Sequence, residues 1–161
     1  MTQKRWTLAA AGLVGALGLS ACGSAIFGSS EPASSLVISW SEGDHRDLRQ
    51  APDHPRLSTR LLDTAEKRDE FLAALPASIP SAERSHVQAI DLASQIIVLG
   101  VYGKCSETSH LTLDGRVLRF VVERDEDVAC AWAPMQVEVW SVARTNLPTP
   151  ILVRDQKGDP A

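Results

Sequence analysis

Residues 96–102 read Ile-Ile-Val-Leu-Gly-Val-Tyr, seven positions without a charge and rich in β-branched side chains. The run is too short for a stable helix and long enough for a strand. Because apolar and polar residues do not alternate, neither face is made for water, so the stretch predicts a central strand covered on both sides.

Downstream, His110-Leu111-Thr112-Leu113 and Arg116 to Arg124 flank Asp114-Gly115. Asp-Gly suits a type I′ turn, whose positive φ angles match the twist of the flanking strands, so a β-hairpin is predicted. Residues 135–143 alternate again, with Met135, Val137 and Val139 against Gln136, Glu138 and Trp140. If the valines are inside, Trp140, Gln136 and Glu138 form an outward face, and an exposed Trp is a candidate recognition anchor. The competing reading packs Trp140 under a neighbouring element. The break Leu147-Pro148-Thr149-Pro150 follows, then a short strand at residues 151–153 and a polar tail, 155–161.

Upstream, Leu36, Ile38 and Trp40 alternate with Val37, Ser39 and Ser41, a strand with its apolar side defined. Residues 43–56 are polar and interrupted by Pro52 and Pro55, hence a loop, and 56–62 can form a second strand. Asp63 three residues before Glu66 resembles a capping box, opening a helix that Pro76 ends; a shorter helix is predicted at 82–89. Five or six strands, one main helix and no βαβ rhythm predict an α+β domain, mostly antiparallel β, over residues 36–154.

The first 21 residues have another character. Lys4 and Arg5 precede an apolar stretch from Trp6 to Leu19, then Ser20 and Ala21, the layout of a secretory signal segment too short and too rich in Gly and Ala for a membrane span. A plain signal peptide or a retained helical anchor would share this layout. Leu19-Ser20-Ala21-Cys22 resembles the lipobox of bacterial lipoproteins, in which the cysteine thiol takes a diacylglyceryl group and becomes the first mature residue. That resemblance implies lipidation at Cys22, attachment to the extracytoplasmic face of the cell membrane (the outer membrane in a cell that has one), and a membrane as partner. Two acyl chains matter because each buried methylene contributes about 0.8 kcal/mol and one chain holds only marginally. Residues 22–35, rich in Gly, Ser, Ala and Pro, read as the lipidated Cys and a flexible tether.

With Cys22 set aside, Cys105 and Cys130 are an even pair in an oxidising compartment and predict a disulfide. A metal or redox site with His110 is the competing reading, weakened by the lack of CxxC spacing. Asp44-His45 and Asp53-His54 repeat within one loop, so His45 and His54 are weak metal candidates against the plain reading of a polar loop. Ser106, Thr108, Ser109 and His110 lack a GxSxG elbow, and adjacent strand residues point apart, so no catalytic set is predicted. No cofactor is implied. Net charge of −4 across 161 residues argues against nucleic acid as a partner.

The combination of lipobox, tether, the strand ending IIVLGVYGKC, a hairpin and CAWAPMQVEVWSV before a Leu-Pro break resembles small envelope lipoproteins of actinobacteria. The order of elements from Phe71 to Pro148 is also similar in topology to PrcB-like domains, modules associated with protease complexes, although Gly103-Lys104-Cys105-Ser106 replaces their glycine-rich turn. The expectation is a lipid-anchored, non-catalytic binding or structural module for an envelope protein or polymer. The alternative is a small-ligand or metal binding lipoprotein.

Overall fold

The computed structural model describes residues 29–50, 59–125, 127–155 and 157–161. The signal segment, Cys22, Asp53, His54 and the first part of the expected second strand lie outside them.

The apolar run is the inner strand of the fold. β3 (Gln95–Gly103) pairs antiparallel along its whole length with β6 (Met135–Ala143), and β1 (Ser34–Ser41) and β2 (Arg60–Leu62) complete a sheet ordered β1-β6-β3-β2. On one face, Ile97 and Leu99 of β3 with Val137 and Val139 of β6 pack under Phe71 and Leu72 of α1 (Ala65–Ala74), Leu75 just after it and Val87 of α2 (Ser81–Gln88). On the other, Ile96, Val98 and Tyr102 meet Leu111 of β4 (Thr108–Asp114), Leu118 and Phe120 of β5 (Val117–Glu123) and Val153 of β7 (Leu152–Arg154). The β4-β5 hairpin turns at Asp114-Gly115, where Gly115 has φ 57°, and β7 adds in parallel to β5. The protein is therefore an α+β domain, mostly antiparallel, in three layers: helices, four-stranded sheet, three-stranded sheet.

Local chemistry sets the helix ends. Thr64, not Asp63, is the cap of α1: its hydroxyl accepts from the Lys67 N–H at 3.3 Å, while Asp63 pairs with the Lys67 ammonium at 2.8 Å. Pro76 ends the helix by holding Leu75 extended, with ψ 140°. The freed carbonyls at that end are taken by Arg84 of α2, which donates to Leu72 O at 2.8 Å, Leu75 O at 3.2 Å and Pro76 O at 2.6 Å. Thus the main helix and the expected shorter one both cover the sheet, joined by two guanidiniums, since Arg68 of α1 also donates to Gln88 O of α2 at 3.1 Å.

The expected apolar side of β1 is corrected, and the chain joins the fold on both sides of residues 36–154. In β1 the pairing register shifts between Leu36 and Ile38, a bulge at Val37, so Leu36 opposes Trp140 while Trp40 opposes Val137 on the helix face. An inserted residue inverts the alternation, which leaves Leu36 46 % exposed and Trp40 buried. The expected tether joins the fold from Ser30 onward: Ser30 exchanges two backbone hydrogen bonds with Leu113, and Ala33 accepts from Ala143. The polar tail folds back on β7, where the Ala161 N–H donates to Val153 O at 3.0 Å.

Phe120 packs its ring tip on Gly100, so close that a Cβ there would collide with Cζ and both Cε atoms. Gly100→Ala is expected to destabilise the protein by about 1–3 kcal/mol through overpacking. Because Phe120→Leu vacates the same volume, the double variant should lose less than the sum of the singles in urea titrations.

Candidate functional site

β6 sorts its side chains by alternation as predicted, but both of its faces are interior. Gln136 is 6 % and Glu138 2 % exposed, because the second sheet covers the side the sequence assigns to water. Trp140 is half-buried and donates its indole N–H to Glu138 Oε2 at 3.0 Å. Glu138 also accepts from the Tyr102 hydroxyl at 2.7 Å and from the Ser109 hydroxyl. Three donors from β3, β4 and β6 thus satisfy a carboxylate that would otherwise be costly to bury. Burial, and then the hydrogen bond to this carboxylate, push the Tyr102 hydroxyl well above the ordinary phenol range, so it stays a donor. The expected recognition face of Trp140, Gln136 and Glu138 is therefore an internal polar clasp between sheets. His110, next to Ser109, takes the opposite face of β4, so these two do not form a nucleophile and base.

The exposed chemistry gathers at one end of the sheets. Ser41 opposes Gln136, Gly103 opposes Met135 and Thr108 opposes Glu123, which brings the loops 42–45, 104–107 and 124–134 together. There the Cys105–Cys130 disulfide joins two of the loops, with Cα atoms 6.3 Å apart. On either side of Cys130 in the chain, Trp132 is 61 % exposed and Val128 37 %.

The loop that carries Trp132 is braced on several sides. Pro134 O accepts from the Lys104 N–H at 2.8 Å, and Glu42 and Met135 exchange backbone N–H to O at 2.8 Å and backbone N–H to carboxylate at 3.1 Å. Ala133 packs so closely on Gly103 that a Cβ there would stand 3.3 Å from it. Glu107 accepts from the Cys105 N–H and lies 3.8 Å from the Arg124 guanidinium. The backbone hydrogen bond, helped by that cation and opposed by burial, holds the Glu107 carboxyl below the usual glutamate range. A large aromatic held in water by a pinned loop can serve as a binding anchor, because little ordering cost is left for a partner to meet.

His45 sits in the turn after β1 at this same end, and His54 lies outside the described residues. Among the described residues no group of three His, Cys, Asp or Glu stands close enough to hold a metal. At the opposite end an open groove of about 430 Å³ is lined by Ser34, Ser35, Ser94, Gln95, Ser141 and Thr145. No helix among the described residues is long and apolar enough to cross a membrane. Comparison with known protein families, with characterised proteins and with solved structures gives no match.

The sequence does contain the signal for Trp132. Cys-Ala-Trp-Ala-Pro has neither strand nor helix periodicity, which marks a loop, whereas Trp140 stands in an alternating strand.

Replacing Cys105 and Cys130 together by Ala is expected to cost about 3 kcal/mol in denaturant titrations, the loop-closure contribution of a 25-residue separation. Glu107, with its folded value depressed, adds stability that is full above the ordinary glutamate value of about 4.3 and is lost as pH falls through the lower folded value. Urea titrations from neutral to acid pH should show a shallower loss for Glu107→Gln than for the parent protein.

Proposed function

We propose that this chain is a bacterial envelope lipoprotein, anchored through Cys22 on the extracytoplasmic face of the membrane, whose domain is a non-catalytic binding or structural module for a protein or envelope polymer. The observation that carries the reading is Trp132, exposed on a braced loop at the end of the sheets opposite to where the N-terminal segment joins them. That segment reaches the fold at Ser30 and Leu113, beside the hairpin turn, and enters β1 at Ser34. Eight residues of strand, about 26 Å at the usual rise, separate Ser34 from the loop end. A domain tethered from Cys22 accordingly holds its Trp132 end away from the lipid. The disulfide suits an oxidising compartment and supports export. A small-ligand carrier is the second reading, favoured by the hydroxyl-lined groove at the Ser34 end.

In cells fed an alkynyl fatty acid, the parent protein should take the label and sediment with membranes, and Cys22→Ala should lose the label. A photo-crosslinking amino acid at position 132 should give a discrete adduct that the same group at Arg116, beside the hairpin turn, does not. Label that persists in Cys22→Ala refutes the anchor, and adducts formed only from position 116 refute the distal binding end.

A further inference from the structure

Deepening that reading, and resting on it, the charge at the Trp132 end narrows the partner. Among the described residues, the loops 42–45 and 104–107 and the segment 123–134 hold Glu42, Asp44, Glu107, Glu123, Asp125 and Asp127 against two basic residues, Lys104 and Arg124. One cation of the pair, Arg124, faces Glu107, and Glu42 faces Arg49 at 3.4 Å, so the acidic groups left without an opposite charge in these contacts are on the loop turn and around it. Asp125, Asp127 and Val128 are exposed within the loop that the disulfide closes, and Trp132 is exposed two residues after Cys130. The surface thus combines an apolar knob with an anionic rim.

We infer that Asp125, Asp127, Val128 and Trp132 form a docking surface for a basic, partly apolar peptide segment of a partner protein, with an apolar residue of that segment against Trp132 and Val128 and its Lys or Arg side chains over Asp125 and Asp127. Three features favour this occupant. An aromatic face attracts cations as well as apolar groups, so a Lys or Arg beside the apolar residue gains from Trp132 itself. The acidic rim attracts a basic partner from a distance and repels an acidic one, which sets both association rate and choice. An anionic lipid surface is disfavoured by the same charges, and the N-terminal segment joins the fold at the far end.

The test uses the full-length protein in phosphatidylcholine nanodiscs, labelled with 5-fluorotryptophan, the Trp132 signal being assigned by its loss in Trp132→Phe. The probes are a short peptide alternating lysine and leucine, its glutamate-leucine counterpart, and phosphatidylglycerol vesicles. The lysine-leucine peptide should shift the Trp132 fluorine signal saturably, and its affinity should fall several-fold between about 0.05 M and about 0.3 M salt. Asp125→Asn with Asp127→Asn should weaken it about three- to tenfold while leaving the unfolding midpoint unchanged. The glutamate-leucine peptide and the vesicles should leave the signal where it is.

Equal shifts with both peptides, a shift at other tryptophans only, a response to vesicles alone, or no shift at millimolar peptide each overturn the assignment. A discrete crosslink from position 132 in cells together with no lysine-leucine binding would reject the basic partner while keeping the binding module. Loss of both rejects the two together.

Discussion

Burying β3 on both faces is the constraint from which the rest of the structure follows. A strand carrying Ile96, Ile97, Val98 and Leu99 in succession has no side to turn to water, so one sheet face needs the helices and the other needs a second sheet. Its partner β6 inherits the same condition, since it lies between β1 and β3. Even the glycine in the run serves this packing: Gly100 lets Phe120 settle on the backbone, and the Phe120 ring in turn meets Tyr102 at 6.0 Å. The second sheet therefore docks at the point where the central strand is thinnest.

Double burial makes polar groups on β6 expensive, and the fold answers by gathering donors. Glu138 is buried with hydrogen bonds from Tyr102, Ser109 and Trp140, which belong to three strands of two sheets. An apolar interface tolerates sliding, whereas a carboxylate with three fixed donors is satisfied in one alignment only. On the helix side Trp40 does a similar thing, packing on Phe71 while its indole N–H donates to Glu83 at 2.7 Å. Each outer layer is thus held to the central sheet by apolar area and aligned by a small number of polar contacts.

The two ends of the sheets differ in consequence. At one end the chain arrives from the N-terminal segment, and the groove there is lined by uncharged, mostly hydroxyl-bearing residues. At the other end three loops meet, a disulfide closes them, and a tryptophan stands in water among carboxylates. Antiparallel pairing produces this division, because β1, β3 and β6 place the turn after β1, the loop after β3 and the start of β6 side by side.

Residue order by itself determined the elements whose signals are local: the buried strand at β3, the Asp114-Gly115 hairpin, the helix stopped by Pro76, the strand at β6 and the pairing of Cys105 with Cys130. Periodicity and turn chemistry are properties of neighbouring residues, so they can be read along the chain. Only the tertiary structure decided what covers each face. Alternation separated Val137 and Val139 from Gln136, Glu138 and Trp140 correctly, yet it carries no information on a sheet formed elsewhere, and so it sent a buried carboxylate to the surface. The bulge at Val37 is likewise not set by the string Leu36-Val37-Ile38, whose three apolar residues fit either side, because it arises in the register with β6. The choice between Trp132 and Trp140 as the exposed aromatic fell to the same cause: burial is decided by what packs against a residue, and that partner is distant in sequence.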